Sequence, residues 1–246
     1  MQLKMLSVIL ASLIICCCIM ALPPRYGQQT NTPPKVVITK PVIQDRFNWN
    51  TIVRYSISIA DKEDGVSEYD EINPREVILK ATYLPDSTKA RAYINDEAKI
   101  GAEPRGLTLI KTATCFNCHT VKSKLIGPSF YAITKRYSNN EDSMQMLPIK
   151  IIKGSRYKWG NVEMPANPDM QINDAREIVR WIRKNSTNPN VDYLPGLDGV
   201  FRTIPRPSKD GGKGVYVLTA TYTDHGVPQL PQQRLEGKHS IVLKGN

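Results

Sequence analysis

Residues 112–122 read TATCFNCHTVK, and this stretch decides how the middle of the chain folds. Cys115 and Cys118 are three positions apart, and His119 follows the second cysteine directly. Residues three apart lie on one face of a helical turn, so both thiols can reach the same neighbour. The chain has only 5 cysteines and 3 histidines in 246 residues, so this cluster indicates a binding function.

The C-x-x-C-H pattern is typical of covalent c-type haem attachment. Two thiols on one face of a turn can reach the two vinyl groups along one porphyrin edge and form thioethers. The next residue then brings an imidazole beneath the iron, where histidine is a common axial ligand. We therefore predict one covalent haem c, with Cys115 and Cys118 as the thioether residues and His119 as an iron ligand.

Three other assignments fit a Cys–Cys–His cluster: a zinc site, a redox dithiol and a disulfide. A structural zinc ion needs four ligands, and the other histidines, His225 and His239, lie far away in the sequence. A thioredoxin-like dithiol is expected within a βαβ frame, which this region does not show. A disulfide-stapled scaffold needs more cysteines, because three of the five lie in an apolar N-terminal run. Haem attachment is the favoured assignment.

A methionine is the expected second axial ligand. Met144 and Met146 lie in a helix-like stretch, where core packing explains them. Met164 precedes Pro165 in an irregular segment rich in Gly, Pro and Asn, and a loop can lay an unbranched thioether across a haem face. Met164 is thus the predicted ligand, with Met170 as the alternative.

The residues on both sides of the cluster differ in character from the cluster itself. Residues 22–98 and 187–246 read as β segments, whereas residues 99–186 read as helical. Alternation in TIVRYSISIA (51–60) and VYVLTATYT (215–223) predicts strands. Each β flank is small for an independent core. We predict an α+β multidomain chain, with the flanks paired into one immunoglobulin-like sandwich and the helical domain joined to it or inserted in it. Three separate domains in a row is the alternative.

Residues 99–186 resemble a small class I c-type cytochrome of the bacterial c551/c552 kind. The matching motifs are CFNCH (115–119), IGPSF (126–130), KWGNVEMP (158–165) and DAREIVRWI (174–182). The resemblance implies that Met164 is the distal ligand and that the Pro128 carbonyl accepts a hydrogen bond from the proximal imidazole. It also implies that Trp159 lies near a haem propionate. The β flanks resemble the PKD-like segments that accompany such cytochromes in some exported bacterial proteins.

Most of the excess positive charge lies in the helical segment. The formal net charge is +10, and residues 99–186 alone contribute +8. Basic residues near the motif are Lys111, Lys122, Lys124, Lys135 and Arg136. Redox complexes are transient, and charge speeds their formation. We predict a basic docking surface for redox proteins that present an acidic face. A solvated basic surface is the alternative, and an exported haem protein is not expected to bind nucleic acid.

The N-terminal residues predict export. One lysine precedes an uncharged, mostly apolar run over residues 5–22, and residues 1–21 fit a signal peptide cleaved after Ala21. A retained membrane anchor and lipidation at one of the cysteines in 16–18 are the alternatives. All three place the mature chain in the periplasm or otherwise outside the cytoplasm.

These features predict an electron carrier and not an enzyme. Iron held on both faces can change oxidation state without making bonds, so the chain would pass single electrons from a periplasmic dehydrogenase or respiratory donor to an oxidase or other acceptor. The alternatives are a carbohydrate- or protein-binding β module with an auxiliary haem domain, and a haem peroxidase or gas sensor with a labile Met164.

The acidic loop after residue 60 could bind calcium through Asp61, Glu63 and Asp64, but a solvated turn is the favoured interpretation.

Overall fold

Nine strands and five α-helices lie in the part of the chain that the computed structural model describes, which is residues 30–43, 45–99, 103–137, 140–208 and 213–246. The predicted signal or anchor segment lies outside these residues. The strands are β1 Lys35–Lys40, β2 Arg46–Phe47, β3 Ile52–Asp61, β4 Gly65–Val66, β5 Ile78–Leu84, β6 Val191–Pro195, β7 Asp198–Arg202, β8 Val215–Thr223 and β9 Glu236–Gly245. The helices are α1 Ala90–Lys99, α2 Arg105–Thr112, α3 Phe130–Arg136, α4 Glu141–Lys153 and α5 Ile172–Ser186. Among the described residues, no helix is long and apolar enough to cross a bilayer.

The strands form two sheets, and each sheet takes strands from both flanks of the helical segment. In the first sheet β3 pairs with β1, β4 and β7, all antiparallel. The second sheet has the order β2-β9-β8-β5-β6 and is antiparallel except for the short parallel pair β2–β9. Strand β5 precedes the helices and lies between β6 and β8, which follow them. The chain therefore leaves the second sheet after β5 and returns to it at β6.

The inner faces of the two sheets share one apolar core. The alternation in β3 places Tyr55, Ile57 and Ile59 on its buried face. These side chains belong to the same cluster as Leu218 of β8 and Leu243 of β9. Burying a large apolar side chain contributes roughly 1.5–3 kcal/mol, so this shared core holds the two flanks together.

Helices α2 to α5 enclose a second core. Its buried members include Ile110, Phe116, Phe130 and Ile178. Helices α2 and α5 approach closely at Gly106, where an added Cβ would lie 2.5 Å from the Cβ of Trp181. Pairing of the first and last helices of this segment places the cysteine–histidine turn, which follows α2, against the core.

The helical core is continuous with the second sheet. Ile78 of β5 is a buried member of the helical cluster, and Tyr193 of β6 packs against it. The rings of Trp181 and Tyr193 meet edge to face, with their centroids 5.0 Å apart. These contacts fix the helical segment to the sheet edge.

Lys111 is buried, so its predicted place on the basic docking surface is wrong. Only 3% of this residue is exposed, and its Nζ donates to the Glu76 carbonyl at 3.0 Å. The same Nζ lies 2.7 Å from a Glu103 carboxylate oxygen, and both side chains are buried. A buried, unpaired cation strongly destabilises a protein, so a buried lysine is expected to be paired and hydrogen-bonded. Lys111 therefore joins α2 to the β segment and is not available for docking.

Candidate functional site

The cysteines and the histidine lie in one tight turn after α2. Thr114 adopts the left-handed conformation, with φ 54°, and the chain then enters a 3₁₀ turn over Cys115–Asn117. The backbone N–H of His119 donates to the Cys115 carbonyl at 3.0 Å. The turn places both cysteines and the histidine at one wall of a cavity, and the two thiols are free.

The imidazole of His119 is held in one orientation and one tautomer. Its Nδ1 lies 2.6 Å from the Pro128 carbonyl oxygen. A carbonyl can only accept, so Nδ1 carries the proton and Nε2 keeps a lone pair for a metal. The ring stacks on Phe130 with an interplanar angle of 20° and a centroid distance of 5.6 Å. Burial lowers the pKa of His119, while the bond to Pro128 opposes that shift, so the ring is neutral and able to ligate.

A glycine makes room for this ring. A Cβ added to Gly127 would lie 2.5 Å from Cε1 of His119, which is too close for any side chain. The N–H of Gly127 donates to the Cys118 carbonyl at 2.8 Å, so the loop after the histidine folds back onto the motif. Gly127 therefore permits Pro128 and the imidazole to meet.

Met164 lies on a loop that is fastened to the end of α4. Its N–H donates to the Ser155 carbonyl at 2.9 Å, and its own carbonyl accepts from the Ser155 N–H at 3.1 Å. Gly154 has φ 76°, and an added Cβ would lie 2.6 Å from the Met164 carbonyl oxygen. Asn167 fixes the other end of the loop, because its backbone N–H donates to the Ile152 carbonyl at 2.9 Å. The loop is thereby held over the cavity.

The cavity has a volume of about 370 Å³ and a largely apolar lining. Cys115, Cys118, His119 and Met164 all contribute to its wall. Burial raises the pKa of the Cys115 thiol to about 11, so without a covalent partner it stays protonated. Two free thiols, an imidazole with an available Nε2 and a thioether around one apolar cavity fit a covalent haem with two axial ligands.

The resemblance also singled out Trp159 and Pro128. Both line the cavity, and Trp159 is 37% exposed at its surface. The Arg136 guanidinium lies 4.5 Å from the centroid of the Trp159 ring and donates to the Lys158 carbonyl at 2.6 Å. This contact ties the end of α3 to the loop that carries Met164.

The alternative ligands lie elsewhere. Of the methionines in the described part of the chain, only Met164 lines the cavity. Met170 packs against the helical core without lining it. His225 lies 3.0 Å from the carboxylates of both Asp64 and Glu76, and His239 accepts the Ile38 N–H at 3.0 Å.

Sequence reasoning missed several residues of the wall. Lys150 and Arg183 line the cavity and bring positive charge to it, and Tyr137 packs against Trp159 at 6.5 Å. Gly127 belonged to the quoted IGPSF motif, but its close approach to the imidazole depends on the folded loop. The helical pattern of the sequence does not distinguish a lysine or an arginine that faces a cavity from one that faces solvent.

The other residues of the predicted basic surface differ in their exposure to solvent. Lys124, Lys135 and Arg136 are exposed. The Nζ of Lys122 donates to the Ser186 and Asn188 carbonyls at 2.8 and 2.6 Å, so it holds the end of α5.

The cavity wall also carries exposed apolar side chains, which are Ile126, Val162 and Trp159. Exposed apolar side chains therefore form part of the cavity wall, and Arg136 contacts one of them, Trp159.

Comparison with known proteins gives consistent matches over the helical segment. Residues 104–186 match the family model described as Cytochrome c. Cytochrome c-551 of Azotobacter vinelandii is 36% identical over 77 residues, which is 31% of this chain and 93% of that protein. Cytochrome c-552 of Nitrosomonas europaea is 35% identical over 74 residues, or 30% of this chain and 72% of that protein. The crystal structure of wild-type Nitrosomonas europaea cytochrome c552 aligns at 34% identity over 31% of this chain and 94% of that chain, with a TM-score of 0.30.

Proposed function

Because this chain belongs to the cytochrome c family and so carries covalent haem c, we propose that it transfers single electrons with an iron held between His119 and Met164. The observation that carries this proposal is the position of both side chains, with both cysteines, at the wall of one cavity. Haem c bound there supplies an iron that exchanges one electron between its ferric and ferrous states. The chain acts as a carrier and not as an enzyme.

The residues of the cavity would each have a defined role. Cys115 and Cys118 fasten the porphyrin edge, and the Pro128 carbonyl orients the His119 ring and increases its basicity. Met164 gives a neutral thioether, which together with the apolar wall raises the reduction potential compared with two imidazoles. Lys150 and Lys158 line the cavity and can meet the haem carboxylates, while Trp159 lies at its exposed rim.

Carbon monoxide tests whether the iron is closed on both faces. Hydrogen bonds fasten the Met164 loop at Ser155 and at Asn167, which would keep the thioether close to a bound haem. We expect the ferrous protein at neutral pH to show no change in its visible spectrum under carbon monoxide. Rapid formation of a carbon monoxide adduct by the wild-type protein would instead indicate a sensor or a peroxidase.

The partner we propose is a redox protein with an acidic docking face. Lys124, Lys135 and Arg136 are exposed. Arg136 contacts the ring of Trp159, and Lys124 lies two positions before the exposed Ile126. The donor would be a periplasmic dehydrogenase or respiratory complex, and the acceptor an oxidase or another cytochrome. Export through residues 1–21, as a cleaved signal, an anchor or a lipoprotein, would bring the chain to that compartment.

A salt series tests the electrostatic part of this proposal. The second-order rate of electron exchange with an acidic redox protein should fall several-fold between about 0.01 and 0.3 M ionic strength, because salt screens the attraction. Stopped-flow absorbance measures this rate. Lys135→Gln should flatten the dependence, whereas Lys99→Gln, an exposed lysine at the end of α1, should not. A rate that is independent of salt contradicts electrostatic steering.

We further propose that residues 22–98 and 187–246 form one immunoglobulin-like sandwich with residues 99–186 inserted between its strands. The pairing of β5 with β6 and β8, and of β3 with β7, supports this division. The sandwich would hold the haem domain at a fixed place on a larger body and leave the cavity rim free.

A further inference from the structure

One end of the two-sheet body holds buried oxygen atoms that have no hydrogen-bond partner among the described residues, and we propose that this end binds Ca²⁺ through Asp61, Glu63 and Asn31. These residues come from the end of β3, the turn after it and the segment before β1. The site is separate from the haem cavity, since none of the three lines that cavity.

Asp61 lies where an apolar residue would be expected. It continues the inward alternation of Tyr55, Ile57 and Ile59 in β3, and only 7% of it is exposed. Its Oδ1 accepts the N–H groups of Glu63 and Asp64 at 2.9 and 2.7 Å, which closes the turn. Its Oδ2 is buried and has no hydrogen-bond partner among the described residues. A buried carboxylate oxygen in this condition is costly unless a cation meets it.

Glu63 and Asn31 also each have one hydrogen-bonded polar atom and one buried oxygen without a described partner. Glu63 accepts the Thr32 hydroxyl with Oε2 at 2.9 Å, and its Oε1 is buried without a described partner. Asn31, next to Thr32, donates through Nδ2 to Asp224 Oδ2 and to the Gln233 carbonyl, both at 2.8 Å. These bonds fix the amide orientation and leave Oδ1 buried and, within the described chain, unpartnered. In each case one polar atom holds the side chain in place and one oxygen is left over.

Hydrogen bonds and one peptide bond connect the three residues into one cluster. Asp61 holds the backbone of Glu63, Glu63 holds Thr32, and Thr32 is bonded to Asn31 along the chain. In the described residues no lysine, arginine or histidine forms an ion pair with Asp61 or Glu63. The nearby carboxylate of Asp64 differs, because His225 and the Tyr222 hydroxyl contact it at 3.0 and 2.7 Å.

The local electrostatics favour a cation. Burial raises the pKa of Asp61, the backbone hydrogen bonds from Asp64 and Glu63 oppose that shift, and the charges of the same two residues add to it. Burial also raises the pKa of Tyr222, with the carboxylates of Asp64 and Asp61 among the further causes. Several negative groups therefore share a small, poorly solvated space, and a bound cation would relieve their repulsion.

The donor atoms select calcium among common cations. All three are oxygens, and Ca²⁺ takes six to eight oxygen ligands in flexible geometry, including carboxylate, amide and water oxygens. No group of three or more acidic, histidine or cysteine side chains in the described residues is arranged to hold a metal by itself. Two carboxylates and one amide would thus be completed by backbone carbonyls and water. Such a site fits the weak affinities of extracellular modules, with dissociation constants of roughly 10⁻⁴–10⁻³ M.

Calcium titration of the full-length holoprotein tests the proposal. After chelator treatment and buffer exchange, wild-type protein titrated with CaCl₂ in isothermal calorimetry should give a saturable signal and a rise in unfolding temperature. MgCl₂ should produce a smaller rise, because Mg²⁺ requires stricter octahedral geometry. Asp61→Asn should lower the calcium affinity at least tenfold. It should also match or exceed the wild type in thermal stability without calcium, since it removes a buried charge.

Glu68→Gln is the matched control, because Glu68 is an exposed acid in the turn after β4 and its replacement removes the same charge. This variant should bind calcium as the wild type does. Glu63→Gln offers a second test should Asp61→Asn fail to fold. The proposal is overturned if calcium gives no saturable signal, or if wild type, Asp61→Asn and Glu68→Gln respond to it equally.

Discussion

Protein in which both Cys115 and Cys118 are replaced by alanine should lose covalent haem entirely. The two sulfurs lie in one turn at the wall of the apolar cavity, and no other cysteine of the described residues is available to replace them. Haem staining of the denatured polypeptide after electrophoresis measures attachment. A single replacement should leave one thioether and red-shift the haem absorption, because one vinyl group stays conjugated.

Asn117→Ala is the control for this experiment. Asn117 lies between the two cysteines in the same turn and is exposed, so its replacement should leave both thioethers intact. Without haem, the cavity of about 370 Å³ loses its contents, so the double variant should also unfold at a lower temperature. Covalent haem retained by the double variant would exclude the proposed attachment.

Met164→Ala is expected to open the distal side of the iron. The sulfur–iron charge-transfer band in the near infrared of the ferric protein should vanish, and the ferrous protein should bind carbon monoxide. The reduction potential should fall, within the range of roughly 0.8 V over which axial ligands tune haem iron. Absorption spectroscopy measures the near-infrared band and the carbon monoxide adduct, and redox titration measures the potential.

Met170→Ala is the matched control for Met164→Ala. Met170 packs against the same helical core but does not line the cavity, so its replacement should cost some stability and leave the near-infrared band in place. If the band disappears in Met170→Ala and persists in Met164→Ala, the ligand assignment is wrong.

Local sequence patterns were sufficient for the parts of the site that depend on short-range geometry. The spacing of Cys115, Cys118 and His119 sets their turn directly, and the Met-Pro pair in an irregular segment singles out Met164, which lines the cavity. The strands at 51–60 and 215–223 were visible because they alternate, and the structure places β3 and β8 there.

Features that depend on contacts distant in sequence could not be predicted in the same way. All residues of β6 are partly exposed, so burial does not alternate along this strand. Strand β7 contains Gly199, and glycine is uncommon within strands. Neither segment therefore shows the alternation that predicts a strand. The sequence predicts that Lys111 is a surface cation, but in the fold its Nζ contacts Glu103 and the Glu76 carbonyl. The acidic loop was expected to be solvated, but folding places Asp61 at a core position.

The most direct test is the behaviour of the wild-type pigment when the polypeptide is denatured. Protein expressed with a working maturation system should keep its colour on the chain through acid–acetone extraction, and its intact mass should exceed that of the mature polypeptide by one haem. A colourless chain with both thiols titratable would contradict covalent attachment through Cys115 and Cys118, and with it the proposed transfer of electrons.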